Sequence, residues 1–108
     1  MSELTDAQLA ARIRELCVLR GTFTLRSGRT SHYYLDKYLF STDPVVLAAL
    51  GERFARHVDE SVDILGGAEL GGIPLVTAAS LASGRPCIFL RNQKKDYGTA
   101  KQLEGKLE

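Results

Sequence analysis

Leu9, Ile13, Leu16 and Cys17 recur at helical intervals near the start of the chain, placing one apolar stripe on an amphipathic helix. Thr5 and Gln8 stand at capping-box spacing ahead of that stripe, and Arg20-Gly21 supplies a stop, so the helix is expected to run to about there. Next come two β-favouring runs, Phe23 to Leu25 and Tyr33 to Asp36, around a turn-rich centre with Ser27 and Gly28. They predict a small hairpin. A second helix is expected from Asp43 as cap and Pro44 at the first position, with Leu47, Leu50, Phe54 and Val58 on one face and an end before Ser61. The pattern then changes. Val62 to Leu65 is expected as a strand, Gly66 to Gly72 as a tight loop, and Ile73 to Ala82 as a helix stopped by Gly84. Small and apolar residues surround that helix, so both its faces are expected to be covered. After Pro86, Cys87 to Leu90 is a continuous apolar run of the kind found inside parallel sheets. Strand, helix and strand in this order make a right-handed βαβ unit.

Composition narrows the class without naming a partner. At 108 residues, 44% hydrophobic and 25% charged, the chain is expected to form one small α/β domain; internal repeats and linkers are absent from the sequence. The formal net charge of +1 is uninformative, whereas its distribution is not. Arg91, Lys94, Lys95, Lys101 and Lys106 cluster after the last apolar run against Asp96 and Glu104. Cys17 and Cys87 lie far apart among apolar neighbours with no metal-ligand or Cys-x-x-Cys spacing, and are expected as reduced thiols of a cytoplasmic protein. The polar, acidic N-terminus is unlike a signal peptide, and no apolar run approaches the roughly 20 residues of a membrane span.

Ligands of parallel α/β sheets collect at the carboxyl ends of the strands. The glycine loop at 66–72 follows one such end and the basic segment from Arg91 the next, so both open on one rim. Glycines let backbone N–H groups approach a ligand, and a helix starting near Ile73 adds its positive end, which suits phosphate or diphosphate. The spacing is neither a dinucleotide fingerprint nor a Walker loop, and a tight βα turn explains the glycines equally well. The basic segment is either a solvated loop or an anion site, with too little aromatic interleaving for nucleic acid. Tyr33 and Tyr34 are either packing residues or a stacking surface for a flat ring, and Arg26 either meets an anion bidentately or faces water. His32 and His57 lack a partner pattern, His57 being expected on the solvent side of the second helix. No metal-ligand cluster and no nucleophile elbow is visible in the sequence.

Three stretches, "FTLRSGRTSHYYLDK", "GGAELGGIPLVTAASLA" and "FLRNQKKDYGTAKQLEG", resemble in order and spacing the N-terminal part of the orotate phosphoribosyltransferases. The resemblance covers nearly the whole chain. It implies a type I phosphoribosyltransferase fold, a parallel sheet with flanking helices, with residues 1–42 forming a helix and hood, 43–90 the start of the core and 91–108 a mobile catalytic loop. The implied reaction transfers ribose 5-phosphate from phosphoribosyl diphosphate to N1 of orotate, with magnesium held through the diphosphate. The implied phosphoribosyl diphosphate contacts are Arg26, Leu70, Gly71, Arg91, Asn92, Lys95 and Tyr97, with Lys95 catalytic; Tyr34 and Leu35 pack on the orotate ring, flanked by Tyr33. No residue is implied as a direct metal ligand. A homodimer is also implied, its loop shared between subunits. Three positions depart from the family's habit: Asn92 and Gly71 stand where lysines are common, and Tyr97 where a histidine is. The family's acidic strand and Thr/Gly-rich ribose 5-phosphate loop are not among these 108 residues, so either a longer protein or a non-catalytic phosphoribosyl diphosphate-binding or regulatory module is expected.

Overall fold

The first helix of the computed structural model, which describes residues 4–92 and 102–107, starts with the capping box expected from Thr5 and Gln8. The Gln8 N–H donates to the Thr5 hydroxyl and the Thr5 N–H to the Gln8 side chain. This helix, α1 (Asp6–Cys17), ends three residues before the Arg20-Gly21 stop. At Val18 the backbone turns extended and enters strand β1 (Val18–Thr24), because its residues pair with β2 (Thr30–Leu35). Strand pairing overrides the local stop signal. The antiparallel hairpin is therefore longer than expected, with Val18 opposite Leu35 and Thr24 opposite Thr30, and an irregularity between Arg20 and Phe23.

A short helix, α2 (Lys37–Ser41), follows at once, capped by the Asp36 carboxylate on the Tyr38 N–H; five residues carry too little periodicity to be seen in the sequence. Helix α3 (Pro44–Ala55) has the expected Asp43 cap, which accepts the Val46 N–H, and Pro44 in its first turn. The α1 stripe finds its partners here. Leu9 packs with Val46 and Ala49 in a buried cluster bordered by Leu4, Ile13, Leu16, Phe40 and Leu50. The face expected for α3 is met only in part: Leu50 borders the core, but the fully buried positions are Val46 and Ala49, Phe54 is exposed and Val58 lies beyond the helix, because α3 lies between α1 and a further helix and must satisfy two neighbours.

The strand expected at Val62–Leu65 moves by three residues. Asp59 and Ser61 form a turn, Val62 lines an apolar cavity with Phe54, Val58 and Leu75, and strand β3 is Leu65–Ala68. Helix α4 (Gly72–Ser83) and strand β4 (Cys87–Leu90) complete the βαβ unit, with β3 and β4 parallel from Leu65 opposite Cys87 to Ala68 opposite Leu90. Gly84 ends α4 in the left-handed conformation at φ 76, where it satisfies the Ser80 carbonyl. Helix α4 buries Val76 and Ala79 against its neighbours but leaves Leu81 82% exposed. The expectation of cover on both faces thus fails: beside Leu81 lies an open apolar groove shared with Pro44, Leu47 and Ala78. A short strand within the expected loop region, β5 (Leu103–Glu104), runs antiparallel to β4. No described helix is long and apolar enough to cross a membrane.

Candidate functional site

Parallel pairing brings the carboxyl ends of β3 and β4 to one rim, and hydrogen bonds continue past the strands. The Glu69 N–H donates to the Leu90 carbonyl at 2.9 Å. Beyond it, the Glu69 carboxylate accepts the Asn92 N–H at 2.8 Å, so the turn after β3 and the segment after β4 are joined. The chain then makes a tight turn through Leu70 and Gly71, joined to α4 where the Ile73 N–H reaches the Leu70 carbonyl at 3.1 Å. Leu70 projects into solvent, 65% exposed. At the α4 cap, Gly71 makes no side-chain hydrogen bond to the first turn, and the N–H groups there carry the positive end of the helix. The turn is this tight because β3 and α4 nearly touch: a Cβ on Gly67 would lie 2.5 Å from the Gly72 carbonyl oxygen and 2.6 Å from Val76 Cγ1.

The basic side of the rim is built on β4 and β5. The Arg91 N–H donates to the Gln102 carbonyl at 2.7 Å, the Gln102 amide donates back to the Arg91 carbonyl at 3.1 Å, and Arg91 Nε donates to Glu104 Oε2 at 2.9 Å. Through Glu69, Asn92 is tied to the turn that carries Leu70 and Gly71, and Arg91 precedes it at the same strand end, as the common-rim reading expects. Lys95 and Tyr97 lie outside the described residues.

On the hairpin, Tyr34 and Leu35 are about half exposed, as is Tyr33. The Tyr34 ring leans on Phe23 with centroids 5.8 Å apart. Adjacent strand residues point to opposite faces, and Tyr34 and Leu35 stand at the end of β2, where Asp36 leads the chain into α2. Arg26 sits exposed at the hairpin tip, in the turn closed by the Gly28 N–H on the Leu25 carbonyl; no bond links it to the rim among the described residues. One residue missed by sequence reasoning joins the two regions. The Tyr38 hydroxyl lies 3.9 Å from where a Cβ on Gly71 would be, so the hairpin's following helix reaches the glycine turn. The capping bond of Asp36 to the Tyr38 N–H orients it, and the Asp36-x-Tyr38 spacing was the available signal.

Among the described residues, the Asp43 and Asp59 carboxyls are held below their ordinary range, both away from the rim. Asp43 is lowered chiefly by the Val46 N–H, against partial desolvation and with help from the Arg12 guanidinium. The Ser61 hydroxyl and N–H do the same for Asp59. These are helix-cap and turn interactions. Among the described residues no group of three His, Cys, Asp or Glu side chains is placed to hold a metal ion. Cys17 and Cys87 are free, Cys17 buried and donating to the Ile13 carbonyl.

Structural neighbours place the architecture in the type I phosphoribosyltransferase fold, of which this chain has part. The orotate phosphoribosyltransferase of Mycobacterium tuberculosis H37Rv, solved with Fe(III) dicitrate, superposes with a TM-score of 0.78 and 33% identity, covering 94% of this chain and 59% of that one. The same enzyme in complex with 5-phospho-α-D-ribosyl 1-diphosphate gives a TM-score of 0.67 at 33% identity over 94% of this chain and 56% of that one. By sequence, the chain is similar to orotate phosphoribosyltransferases over nearly its whole length. It is 46% identical over 100 residues to that of Nocardioides sp., covering 93% of this chain and 56% of the relative. The Halobacterium salinarum protein is 44% identical over 108 residues, covering 100% of this chain and 61% of the relative. The chain thus spans somewhat over half the length of these curated relatives. No protein-family profile matches it.

Proposed function

We propose that the protein transfers ribose 5-phosphate from phosphoribosyl diphosphate to N1 of orotate, giving orotidine 5′-monophosphate and diphosphate for pyrimidine nucleotide synthesis. One observation carries this reading: the Glu69 carboxylate on the Asn92 N–H joins the glycine turn and the Arg91-Asn92 strand end into a single rim. That rim offers backbone N–H groups, a helix N-terminus and a guanidinium to one polyanion. The names of the relatives supply orotate as acceptor.

In the reaction the C1′–O bond to diphosphate breaks with its electron pair leaving on the diphosphate, the N1–C1′ bond forms, and the proton of orotate N1 passes to the departing diphosphate. Positive charge grows on the ribose and negative charge on the departing oxygens. Leu70 and Gly71 offer backbone to the diphosphate, and Arg91, Asn92, Lys95 and Tyr97 reach it from the basic segment, while Arg26 approaches from the hairpin. Tyr34 and Leu35 hold the flat ring. Lys95 is assigned the catalytic part, since a cation delivered to the leaving oxygens stabilises the transition state more than the ground state.

Magnesium is assigned to the diphosphate itself. Such an ion keeps several waters and takes phosphate oxygens readily. When bound, the ion neutralises charge on the leaving group. A homodimer and a cytoplasmic location belong to the same reading.

The test is the loss of orotate absorbance with phosphoribosyl diphosphate and magnesium, for the parent and for Lys95→Ala. The expected result is turnover in the parent and a fall of at least 100-fold in kcat for the variant, the order found when one charge-stabilising donor is removed, with little change in melting temperature. Turnover in the variant within a few-fold of the parent removes Lys95 from the mechanism. Binding of phosphoribosyl diphosphate by the parent without turnover favours the second reading, a non-catalytic binding module of the same fold.

A further inference from the structure

We infer that Glu104 is a positioning residue: its carboxylate holds the Arg91 guanidinium in a fixed orientation at the rim, so that the diphosphate meets an arginine already in place. The inference rests on the proposed transferase reading for its ligand, but on its own geometry for the positioning.

Four observations converge. Arg91 Nε donates to Glu104 Oε2 at 2.9 Å, and the two side chains are 35% and 31% exposed, so the pair is partly withdrawn from water rather than loose on the surface. The Arg91 backbone is fixed on both sides, its N–H on the Gln102 carbonyl and its carbonyl under the Gln102 amide. Glu104 lies in β5, opposite Phe89 of β4, so the carboxylate is carried by the same sheet that carries the arginine. Finally, Gly105 presses β5 onto β4: at φ 118, a Cβ there would lie 3.0 Å from Ile88 Cγ2 and 3.2 Å from the Cys87 carbonyl oxygen. No L side chain suits that conformation or that space. The glycine sets how closely the strand carrying Glu104 approaches.

The chemistry follows from the shape of the fork. A guanidinium carries five N–H donors on three nitrogens. Glu104 engages Nε, so an oxyanion that approaches the terminal nitrogens does not compete for the donor the carboxylate holds. Ordering a long, rotamer-rich side chain opposes binding. A partner that orders it beforehand removes that cost from the binding step, as supporting residues do for other preorganised sites. A carboxylate that only competed with the diphosphate for Arg91 would have the opposite effect, and its removal would tighten binding. The sign of the change therefore decides between the two.

The experiment is calorimetric titration of the 108-residue chain with inorganic diphosphate and magnesium, for the parent, Glu104→Ala, Glu104→Gln, Arg91→Ala and the Arg91→Ala/Glu104→Ala double variant. The Arg91 Nε–H resonance is followed by NMR without ligand in the parent and in both Glu104 variants. Glu104→Ala is expected to weaken diphosphate binding by roughly 3- to 10-fold, the cost of ordering one such side chain. Glu104→Gln, which keeps an acceptor for Nε, recovers most of the affinity. In the Arg91→Ala background Glu104→Ala changes nothing further. The Nε–H is protected from exchange in the parent and in Glu104→Gln, and exposed in Glu104→Ala. Unchanged or tighter binding by Glu104→Ala overturns the proposal, as does an equal loss in the Arg91→Ala background, which would make Glu104 a prop of the fold. A parent that shows a protected Nε–H yet binds no diphosphate overturns the transferase reading, and with it the purpose assigned to Glu104 but not its hold on Arg91; an unprotected Nε–H in the parent overturns the hold itself.

Discussion

Gly51→Ala tests how α3 and α4 meet, and its sign is not the one helix propensity gives. Glycine inside a helix costs about 1 kcal/mol relative to alanine, so at an exposed site this substitution would stabilise. Here a Cβ would stand 2.7 Å from the Ala78 carbonyl oxygen, 2.8 Å from its carbonyl carbon and 2.9 Å from its Cβ. Two of the three are backbone atoms of α4 and cannot rotate away. Reaching ordinary separations of about 3.5–4.0 Å requires the helices to part by roughly 1 Å, in an interface where Val76 and Ala79 are buried. Overpacking of this kind costs about 1–3 kcal/mol, which outweighs the propensity gain and leaves a net loss of about 1 kcal/mol. For a domain of this size each kcal/mol moves the melting temperature by about 4–8 °C. Thermal unfolding followed by far-ultraviolet circular dichroism should therefore show a fall of several degrees, and diphosphate affinity should fall too, since α4 carries the Gly71-Gly72 turn. A melting temperature at or above the parent's would refute the close-approach account of α3 and α4.

Acid should destabilise the fold through its caps: Asp43 and Asp59 have carboxyls lowered by the Val46 N–H and the Ser61 hydroxyl respectively, so their contribution is present above the unfolded value and is lost as pH falls through the folded one, below about pH 4. Melting temperatures between pH 7 and pH 3 should drop less for Asp43→Asn, which still caps but cannot ionise, and identical slopes would exclude Asp43 from the acid limb. Gly105→Ala should lower diphosphate affinity in the same direction as Glu104→Ala, because a displaced β5 carries the Glu104 carboxylate away from Arg91; unaltered binding would show that the strand tolerates the shift. Tyr34→Ala should raise the KM for orotate several-fold while leaving that for phosphoribosyl diphosphate nearly unchanged, and steady-state kinetics with each substrate varied would expose the reverse pattern.

Much of the fold was legible because local chemistry and tertiary packing agree. The Thr5–Gln8 box, the Asp43-Pro44 start, the Gly84 stop and the Cys87–Leu90 strand all fall where sequence rules put them. Errors came where a neighbour decided. Val18 to Arg20 would extend α1 by propensity, but β2 lies alongside and takes them as strand. Helix α3 serves two partners, so its buried positions, Val46 and Ala49, are not the ones a single-face pattern selects. Leu103 and Glu104 form a strand only because β4 is there to pair with, and two residues leave no periodicity to detect. The common rim was legible as well, since strand ends in a parallel βαβ unit follow from topology; Glu69 and Tyr38, which tie its parts together, act through contacts between residues distant in sequence.

The displacement of β3 from Val62–Leu65 to Leu65–Ala68 ties this error to the site itself. A strand written Leu-Gly-Gly-Ala scores poorly on any β-propensity, because glycine brings no side chain to pack and loses the most entropy on ordering. Yet Gly67 has no room for a Cβ, with the Gly72 carbonyl oxygen and Val76 where one would be. That crowding is what lets α4 begin almost on top of the strand end, so that its first N–H groups and the Leu70-Gly71 backbone open on the same rim as Arg91. An alanine at Gly67 would be a better strand former in isolation and would push α4 off β3, moving those N–H groups away from the guanidinium that Glu104 holds. The glycines that shape the rim proposed for a polyanion are thus the ones that conceal its strand from a propensity rule, and they act through the space they leave.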